Sequence, residues 1–434
     1  MADLSVNICG IDSPNPFWLA SAPPTNTGDQ IARAFDAGWG GAVWKTLGEP
    51  IENTYSRYSS VDINGHRMMG LNNIELITDR TLEDNLVEIA EVKRRYPDNA
   101  VIVSLMVESN PEAWDTIIKQ VEQAGADGIE LNFGCPHGMS ERGMGAAVGQ
   151  VPEYTCDITT WAVSSATVPV FVKLTPNITD IRAASRAALK GGADAVSLIN
   201  TINSITGVDL DTMVPRPVVG DKSSHGGYCG PAVKPIALHM VSQIAGDPET
   251  EGLPISGIGG IATWQDAAEY ILLGATTVQV CTAVMHYGYR IVEGMIEGLS
   301  NYLDSKGMAS VNELRGLSVG KVTDWAHLDI NYVIKAHIDQ DKCIGCGLCY
   351  ISCQDGAHQA IGAERTADDK TRVWIIEDAC VGCNLCSLVC PVQGCITMEE
   401  RDYGQTHMSW VEYTGDEPPG ELYPRPKHGL TIGG

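Results

Sequence analysis

Between residues 16 and about 303 the chain alternates short runs of aliphatic and β-branched residues with longer stretches of helical periodicity. That alternation is the pattern of βα units on a parallel sheet. The runs that read as strands are PFWLASA (16–22), GGAVWKT (40–46), AVIVSLMV (100–107), GIELNFG (128–134), VFVKLT (170–175), AVSLINT (195–201), LPISGIGG (253–260) and TTVQVCTA (276–283). Most are followed by amphipathic stretches such as PEAWDTIIKQVEQAG or DIRAASRAALKGG. Eight such units predict an α/β fold, a (β/α)8 TIM barrel of ordinary length. A doubly wound open sheet is the competing arrangement. The barrel is preferred because polar residues gather at the C-terminal ends of nearly every run: Ser21, Lys45, Asn132, Lys173, Asn200, Thr201 and Thr282. A barrel builds its active site at that edge.

The pattern changes after the barrel. Residues 1–303 are read as the barrel domain, 304–336 as a connecting segment with a little helix, and 337–400 as a small α+β unit. Residues 401–434 are rich in Gly and Pro and predict an extended arm ordered only by docking. The small unit repeats itself, DKCIGCGLCYISC against DACVGCNLCSLVC. Cys343, Cys346, Cys349 and Cys353 are spaced C-x2-C-x2-C-x3-C, and Cys380, Cys383, Cys386 and Cys390 repeat the spacing, with Pro391 following. This is the ligand order of a two-cluster bacterial ferredoxin, in which three cysteines of a run hold one 4Fe–4S cluster and the fourth crosses to the other. It assigns Cys343, Cys346, Cys349 and Cys390 to a first cluster and Cys353, Cys380, Cys383 and Cys386 to a second. Structural zinc is the weaker reading, because its sites use two separated CxxC pairs. Disulfides are weaker again, since nothing else looks secreted.

Composition narrows the classes. With 434 residues and 44% hydrophobic content there is chain enough for one large domain and a small one. A formal charge of −25 argues against binding nucleic acid or an anionic membrane surface. No run of about 18 apolar residues occurs, so no membrane-spanning helix is expected. The start, MADLSVNICGIDSPNPF, lacks the basic-then-apolar order of a signal peptide. The six cysteines outside the runs (Cys9, Cys135, Cys156, Cys229, Cys281, Cys395) show no pairing pattern. A reducing compartment, most simply the cytoplasm, is expected.

The barrel carries candidate chemistry of its own. ELNFGCPHGMSERGMG, from Glu130, places Asn132, Cys135, His137 and Ser140 on one βα loop. A thiol there can give up a proton in step with other bond changes; a small buried Cys is the plain alternative. Lys45 and Lys173 each end a strand, and lysines are rarely buried unless paired, so they suggest an anionic ligand or a developing negative charge. SGIGGI (256–261) offers backbone N–H groups at a helix start after strand seven, where many barrels cradle phosphate. Asn73 and Glu75 in MMGLNNIELIT, with Asn200 and Thr201, add amide, carboxylate and hydroxyl groups that suit a flat heterocycle. No G-x-G-x-x-G follows a strand and opens a helix with an acidic residue about 20 positions on. The chain has a route for electrons and no evident port for NAD(P).

At NFGCPHGM…ERGMG, KLTPNITDI (173–181) and the two cysteine runs, the chain resembles the pyrimidine-reducing part of the dihydropyrimidine dehydrogenases, over roughly residues 5–400. It is more closely similar to the catalytic subunit of the bacterial NAD-dependent enzymes, and the barrel half also resembles class 1 dihydroorotate dehydrogenases. The resemblance implies an FMN barrel with Cys135 as general acid. It implies substrate contacts at Asn73, Glu75, Asn132, Asn200 and Thr201. FMN contacts would fall on Ser21, Lys45, Thr46, the loop Asn132, Phe133 and Gly134, Lys173, Gly230, the turn Ile258, Gly259 and Gly260, and Cys281 with Thr282.

The implied reaction reduces uracil or thymine to the 5,6-dihydro form, with hydride from FMN N5 to C6, a proton from Cys135 to C5, and Lys173 near flavin N1. Where the mammalian pattern has Ser before the catalytic Cys, this chain has Gly134, and its first cluster run ends CQ rather than CP without losing a ligand. The mammalian half carrying FAD and the pyridine nucleotide has no counterpart here. NAD(H) would therefore act through a separate FAD-containing flavoprotein subunit, in a hetero-oligomer such as a heterotetramer. The alternatives are a dihydroorotate-dehydrogenase-like FMN/Fe–S oxidoreductase and an electron-transfer subunit with no substrate of its own.

Overall fold

A computed structural model of the chain describes residues 2–52, 54–63, 66–136, 138–367 and 370–415. Eight parallel strands close into a barrel in chain order: Phe17–Leu19, Gly41–Leu47, Ala100–Leu105, Gly128–Asn132, Val170–Lys173, Ala195–Leu198, Ile255–Ile258 and Thr277–Val280. The last returns to the first with Val278 opposite Phe17. Each predicted run supplies one strand, and most strands stop short of their run's end. The residues beyond the ladder turn outward and form the rim.

The strands read as near-continuous apolar runs because both faces are covered. Ala42, Val101, Val103, Leu131 and Val196 are fully buried between strands and helices. The polar interruptions point into the barrel, where Ser104, Glu130, Ser197, Ser256, Thr277 and Gln279 are all buried. Local signals start the helices. Thr27 accepts from Gln30 N at 3.2 Å while Gln30 Oε1 accepts from Thr27 N at 3.1 Å, a capping box for Gly28–Ala37. Asn110 accepts from Ala113 N at 2.8 Å, with Pro111 in the first turn of Pro111–Gln123.

Two elements escaped the sequence reading. A hairpin, Val6–Ile8 with Ile11–Ser13, places Ile8 and Ile11 against Trp18, Ile102 and Phe171 at the N-terminal end of the barrel. At the other end an antiparallel sheet runs in the order Ile202–Ser204, Gly226–Cys229, His66–Asn73, Tyr58–Ile63. Its strands belong to the loops after barrel strands two and six, so it stands on the functional rim, and Asn73 is one of its residues.

The chain divides into two compact units at Val322/Thr323. The second pairs Ile334–Ile338 with Ile396–Glu400 and Ile361–Arg365 with Thr371–Ile375, both antiparallel. Helices Leu348–Gly356 and Leu385–Leu388 each begin inside a cysteine run. Its core is small: Ala336, Ile338, Ala360, Ile361, Val373 and Ile396 with the cysteines. A core this small leans on its metal centres for stability. Of the predicted arm, 401–415 is described and includes the helix Trp410–Thr414, capped by Ser409 and Glu412; 416–434 lies outside the described residues.

Candidate active site

The two rim lysines are buried and each is matched by a carboxylate, so neither is a surplus positive charge. Lys45 and Lys173 are both only 5% exposed. Lys45 Nζ lies 2.7 Å from Glu75 Oε1. The other oxygen of Glu75 lies 2.6 Å from Arg57 Nε and accepts from Tyr58 Oη at 3.1 Å. Burial and the Glu75 carboxylate push the Tyr58 phenol up, so it stays a donor. Lys173 Nζ lies 3.4 Å from Glu130 Oε1 in the barrel interior. Glu130 Oε2 accepts from Ser197 Oγ at 2.7 Å and Gln279 Nε2 at 3.2 Å.

A chain of hydroxyls and amides crosses the rim between these pairs. Thr46 Oγ1 lies 3.2 Å from Ser21 Oγ and 2.9 Å from Ser104 Oγ, and accepts from Asn132 Nδ2 at 3.0 Å. Asn200 Nδ2 donates to Asn132 Oδ1 at 2.9 Å, and Asn200 Oδ1 accepts from Thr201 N at 2.8 Å. Cys135 shares one cleft with Lys45, Thr46, Glu75, Asn132, Asn200 and Thr201. Its apolar side is Ile77, Met106 and Met144. The Cys135 carbonyl is pinned by Ser140 Oγ at 2.6 Å and Ala146 N at 3.0 Å. Gly145 makes this possible. Its φ is +58°, and a Cβ there would come within 2.8 Å of the Cys135 carbonyl oxygen.

A second cleft adjoins the first at Ser21, Asn200 and Thr201 and is lined by Lys173, Gly230, Ile258, Gly259, Gly260, Cys281 and Thr282. It encloses about 960 Å³ of space, part of it open to solvent. Gly260, at φ +70°, sits so close to the Gly230 loop that a Cβ would fall 2.9 Å from Gly230 O. Burial raises the Cys229 thiol to about 11 and the Cys281 thiol to about 12, so both line the cleft uncharged at neutral pH. The buried Gln279 Oε1 has no partner among the described residues. This set fits FMN: amide and lysine at the ring end, glycine-rich backbone for the phosphate, and a buried acceptor without a donor.

Several predicted positions sit elsewhere than the cleft walls. Asn73 Nδ2 donates to Gly227 O at 3.0 Å, which ties two strands of the rim sheet together. The Phe133 ring packs edge-on against Trp114 at 6.3 Å, away from the rim. Gly134 lies under Asn200, whose side-chain carbon occupies the place of a Cβ at 2.3 Å; a serine here displaces Asn200. The N-terminus of helix Trp264–Leu272 is closed on itself, since Asp266 Oδ2 accepts from both Ala262 N and Thr263 N. The helix start is therefore occupied by its own carboxylate, and the Gly259–Gly260 turn is the candidate anion cradle that is left. His137 lies outside the described residues. Tyr228, Cys229 and Gln279, which also line the larger cleft, were missed by the sequence reading. The GGYC run around Tyr228 and Cys229 hid its strand, because two glycines read as a turn.

In the second unit the cysteines of the two runs line two cavities. One cavity is lined by Cys343, Cys346, Cys349 and Cys390, the other by Cys353, Cys380, Cys383 and Cys386. No three His, Cys, Asp or Glu among the described residues converge on a single ion. Thiols ringed around a cavity suit a cubane, which spreads its ligands over four irons. The isolated chain is expected to carry about eight irons and eight acid-labile sulfides with one FMN, measured by iron and sulfide assay and flavin release. An iron content near two, or bound zinc, would remove the dicluster.

Residues 3–303 match the family model for dihydroorotate dehydrogenase and residues 336–398 that for a 4Fe-4S dicluster domain. The NAD-dependent dihydropyrimidine dehydrogenase subunit PreA of Escherichia coli (strain K12) is 46% identical over 400 residues, 92% of this chain and 96% of that protein. The chloroplastic dihydropyrimidine dehydrogenase (NADP(+)) of Arabidopsis thaliana is 43% identical, covering 78% of this chain and 82% of its own length. The catalytic subunit of dihydroorotate dehydrogenase B (NAD(+)) from Pyrococcus abyssi is 38% identical, covering 73% of this chain and 99% of its own. No helix among the described residues is long and apolar enough to cross a membrane.

Proposed function

The chain belongs to the dihydroorotate dehydrogenase family, and from that membership we propose that it is the pyrimidine-reducing subunit of an NAD-linked dihydropyrimidine dehydrogenase of the cytoplasm. It converts uracil and thymine reversibly to their 5,6-dihydro forms. Barrel residues 1–303 carry the reaction and the ferredoxin-like unit, 337–400, carries electrons, with 304–336 as the connection. The observation that carries this reading is the cleft where Cys135 faces a charge-balanced set of amide, hydroxyl and carboxylate groups.

A uracil ring alternates N–H donors and C=O acceptors on its edge. Asn132, Asn200 and Thr201 offer both kinds of group to it, and Glu75 accepts from a ring N–H. Asn73, whose amide is tied to Gly227 O, serves the site by holding the rim sheet beside them. Cys135 holds the proton that goes to C5, with Ile77 and Met106 excluding water from its far side. Bound FMN supplies the hydride chemistry at C6. Ser21, Lys45, Thr46, the backbone of the 132–134 loop and Lys173 would hold the flavin ring. The Gly230, Ile258–Gly260 and Cys281–Thr282 segments would hold the ribityl phosphate end. The 4Fe–4S clusters, when bound, supply one-electron transfer to a partner flavoprotein that carries FAD and takes NAD(H). A heterotetramer with that partner is the assembly this implies, and the E. coli relative is itself named a subunit.

Orotate fits this cleft less well. It would add a carboxylate where Lys45 is already matched by Glu75 and Lys173 by Glu130. The test mixes the reduced holoprotein anaerobically with uracil, thymine or orotate and follows flavin absorbance. Reoxidation by uracil and thymine is expected. Reoxidation by orotate alone would return the chain to dihydroorotate chemistry, and none with any pyrimidine would make the barrel an electron-transfer scaffold.

A further inference from the structure

The cavity assigned to the first cluster is lined by five cysteines. Besides Cys343, Cys346, Cys349 and Cys390 it includes Cys395, which the ligand spacing does not use. Cys395 is 2% exposed and stands one residue before the strand Ile396–Glu400. Its backbone is fixed on both sides: Cys395 N donates to Val392 O at 3.2 Å, and Asp339 N donates to Cys395 O at 2.8 Å. Its side chain lines the same cavity as Cys343 and Cys390, and its Sγ lies 3.6 Å from Asp339 O.

The internal repeat supplies a control. Cys395-Ile396 opens a strand after the second run as Ala360-Ile361 opens one after the first. The second cavity has a methyl group where the first has a thiol, and only its four ligand cysteines line it. Ala360 still donates its backbone N–H to Cys353 Sγ at 3.2 Å. The two cavities share their ligand type, but the first adds the Cys395 thiol and the second the side chain of His358.

We propose that Cys395 is a thiol donor to the ligand sulfurs of the first cluster and that it raises the midpoint potential of that cluster. The inference rests on the dicluster reading of the second unit. A coordinated thiolate is anionic, and a hydrogen bond to an ion is about twice as strong as one between neutral groups. The other acceptor open to the thiol, Asp339 O, is 3.6 Å away and already receives Cys343 N at 3.0 Å. A carbonyl can accept both, but a bound thiolate is anionic and the stronger acceptor, so with the cluster in place the S–H turns to sulfur. Reduction adds negative charge to the cluster, so a donor stabilises the reduced form and raises its potential. Cys395 is a positioning and tuning residue, not a ligand.

The experiment is an anaerobic potentiometric titration of the full-length chain holding its clusters, read by electron paramagnetic resonance. The wild type is compared with Cys395→Ala and Cys395→Ser, and Cys346→Ser identifies the signal of the first cluster. In Cys395→Ala the first-cluster midpoint is expected to fall while the second stays in place, with iron content unchanged. Cys395→Ser keeps an O–H donor and is expected to lie between Ala and wild type. An unmoved first-cluster midpoint, or equal shifts in both clusters, overturns the proposal. So does loss of half the iron in both variants, which would make Cys395 a ligand. A wild-type chain that takes up no iron would instead fell the dicluster reading, and this inference with it.

Discussion

Replacing Cys135 by Ala is expected to leave FMN and uracil bound while pyrimidine reduction falls by roughly 10²–10⁴-fold, the usual worth of a positioned general acid. The size follows from the setting. Cys135 is 8% exposed, so bulk water is a poor substitute for its proton. Its carbonyl is fixed by Ser140 and Ala146, so the thiol is held against the same cleft that Asn132 and Asn200 line. Removing the sulfur takes away an acid without touching the amide chain that runs from Thr46 to Thr201. Binding and catalysis should therefore separate: uracil still perturbs the flavin spectrum, but single-turnover reoxidation slows. Cys135→Ser keeps a hydroxyl that can relay a proton, and should recover part of the loss. A near-wild-type rate for Cys135→Ala at neutral pH would make Cys135 a packing residue beside Met106 and Met144.

The barrel was legible because its strands are buried on both faces. A strand such as AVIVSL has no polar side to confuse with a helix, and its length and β-branching decide the reading. The cysteine runs were legible because one loop wrapping a cubane needs its ligands within a few residues of one another. The rim sheet was not read, although YSSVDI and HRMMGLNN flank an Asn-Gly pair, the usual sign of a hairpin. Both strands fall within the long connection after strand two, where the βα alternation of the chain masks a short antiparallel pair.

The lysines failed for a different reason. Lys45 and Glu75 are 30 residues apart, and only the closed barrel with its rim sheet brings them together. A sequence shows each charge and hides its partner. The consequence is chemical: the cleft that read as positively charged is balanced, which favours a neutral ring over an anion. Gly134 shows the same limit in steric terms. Its departure from serine could be seen in the sequence, but not that Asn200 fills the space a Cβ would need.

The largest effect expected is a negative one. NADH or NADPH alone should leave the flavin of the purified chain oxidised, while dithionite, or NADH with the partner flavoprotein, should bleach it. A nucleotide site of the common kind needs a strand, a glycine turn and a helix N-terminus arranged to take a pyrophosphate, with an acidic residue for the ribose. No segment of this sequence has that order. The glycine turn that does follow a barrel strand, at Gly259 and Gly260, lies in the cleft proposed for FMN. On the proposed reading, two ferredoxin-type clusters would carry electrons between the flavin and a redox partner, a role needed when the electron donor binds elsewhere. The charge of −25 suits a partner with a basic face and predicts a docking rate that falls with ionic strength. Anaerobic stopped-flow absorbance decides the matter, first with NADH alone and then with the partner added at two salt concentrations. Rapid bleaching by NADH without a partner would put the nucleotide site on this chain, and the two-subunit assignment would fall with it.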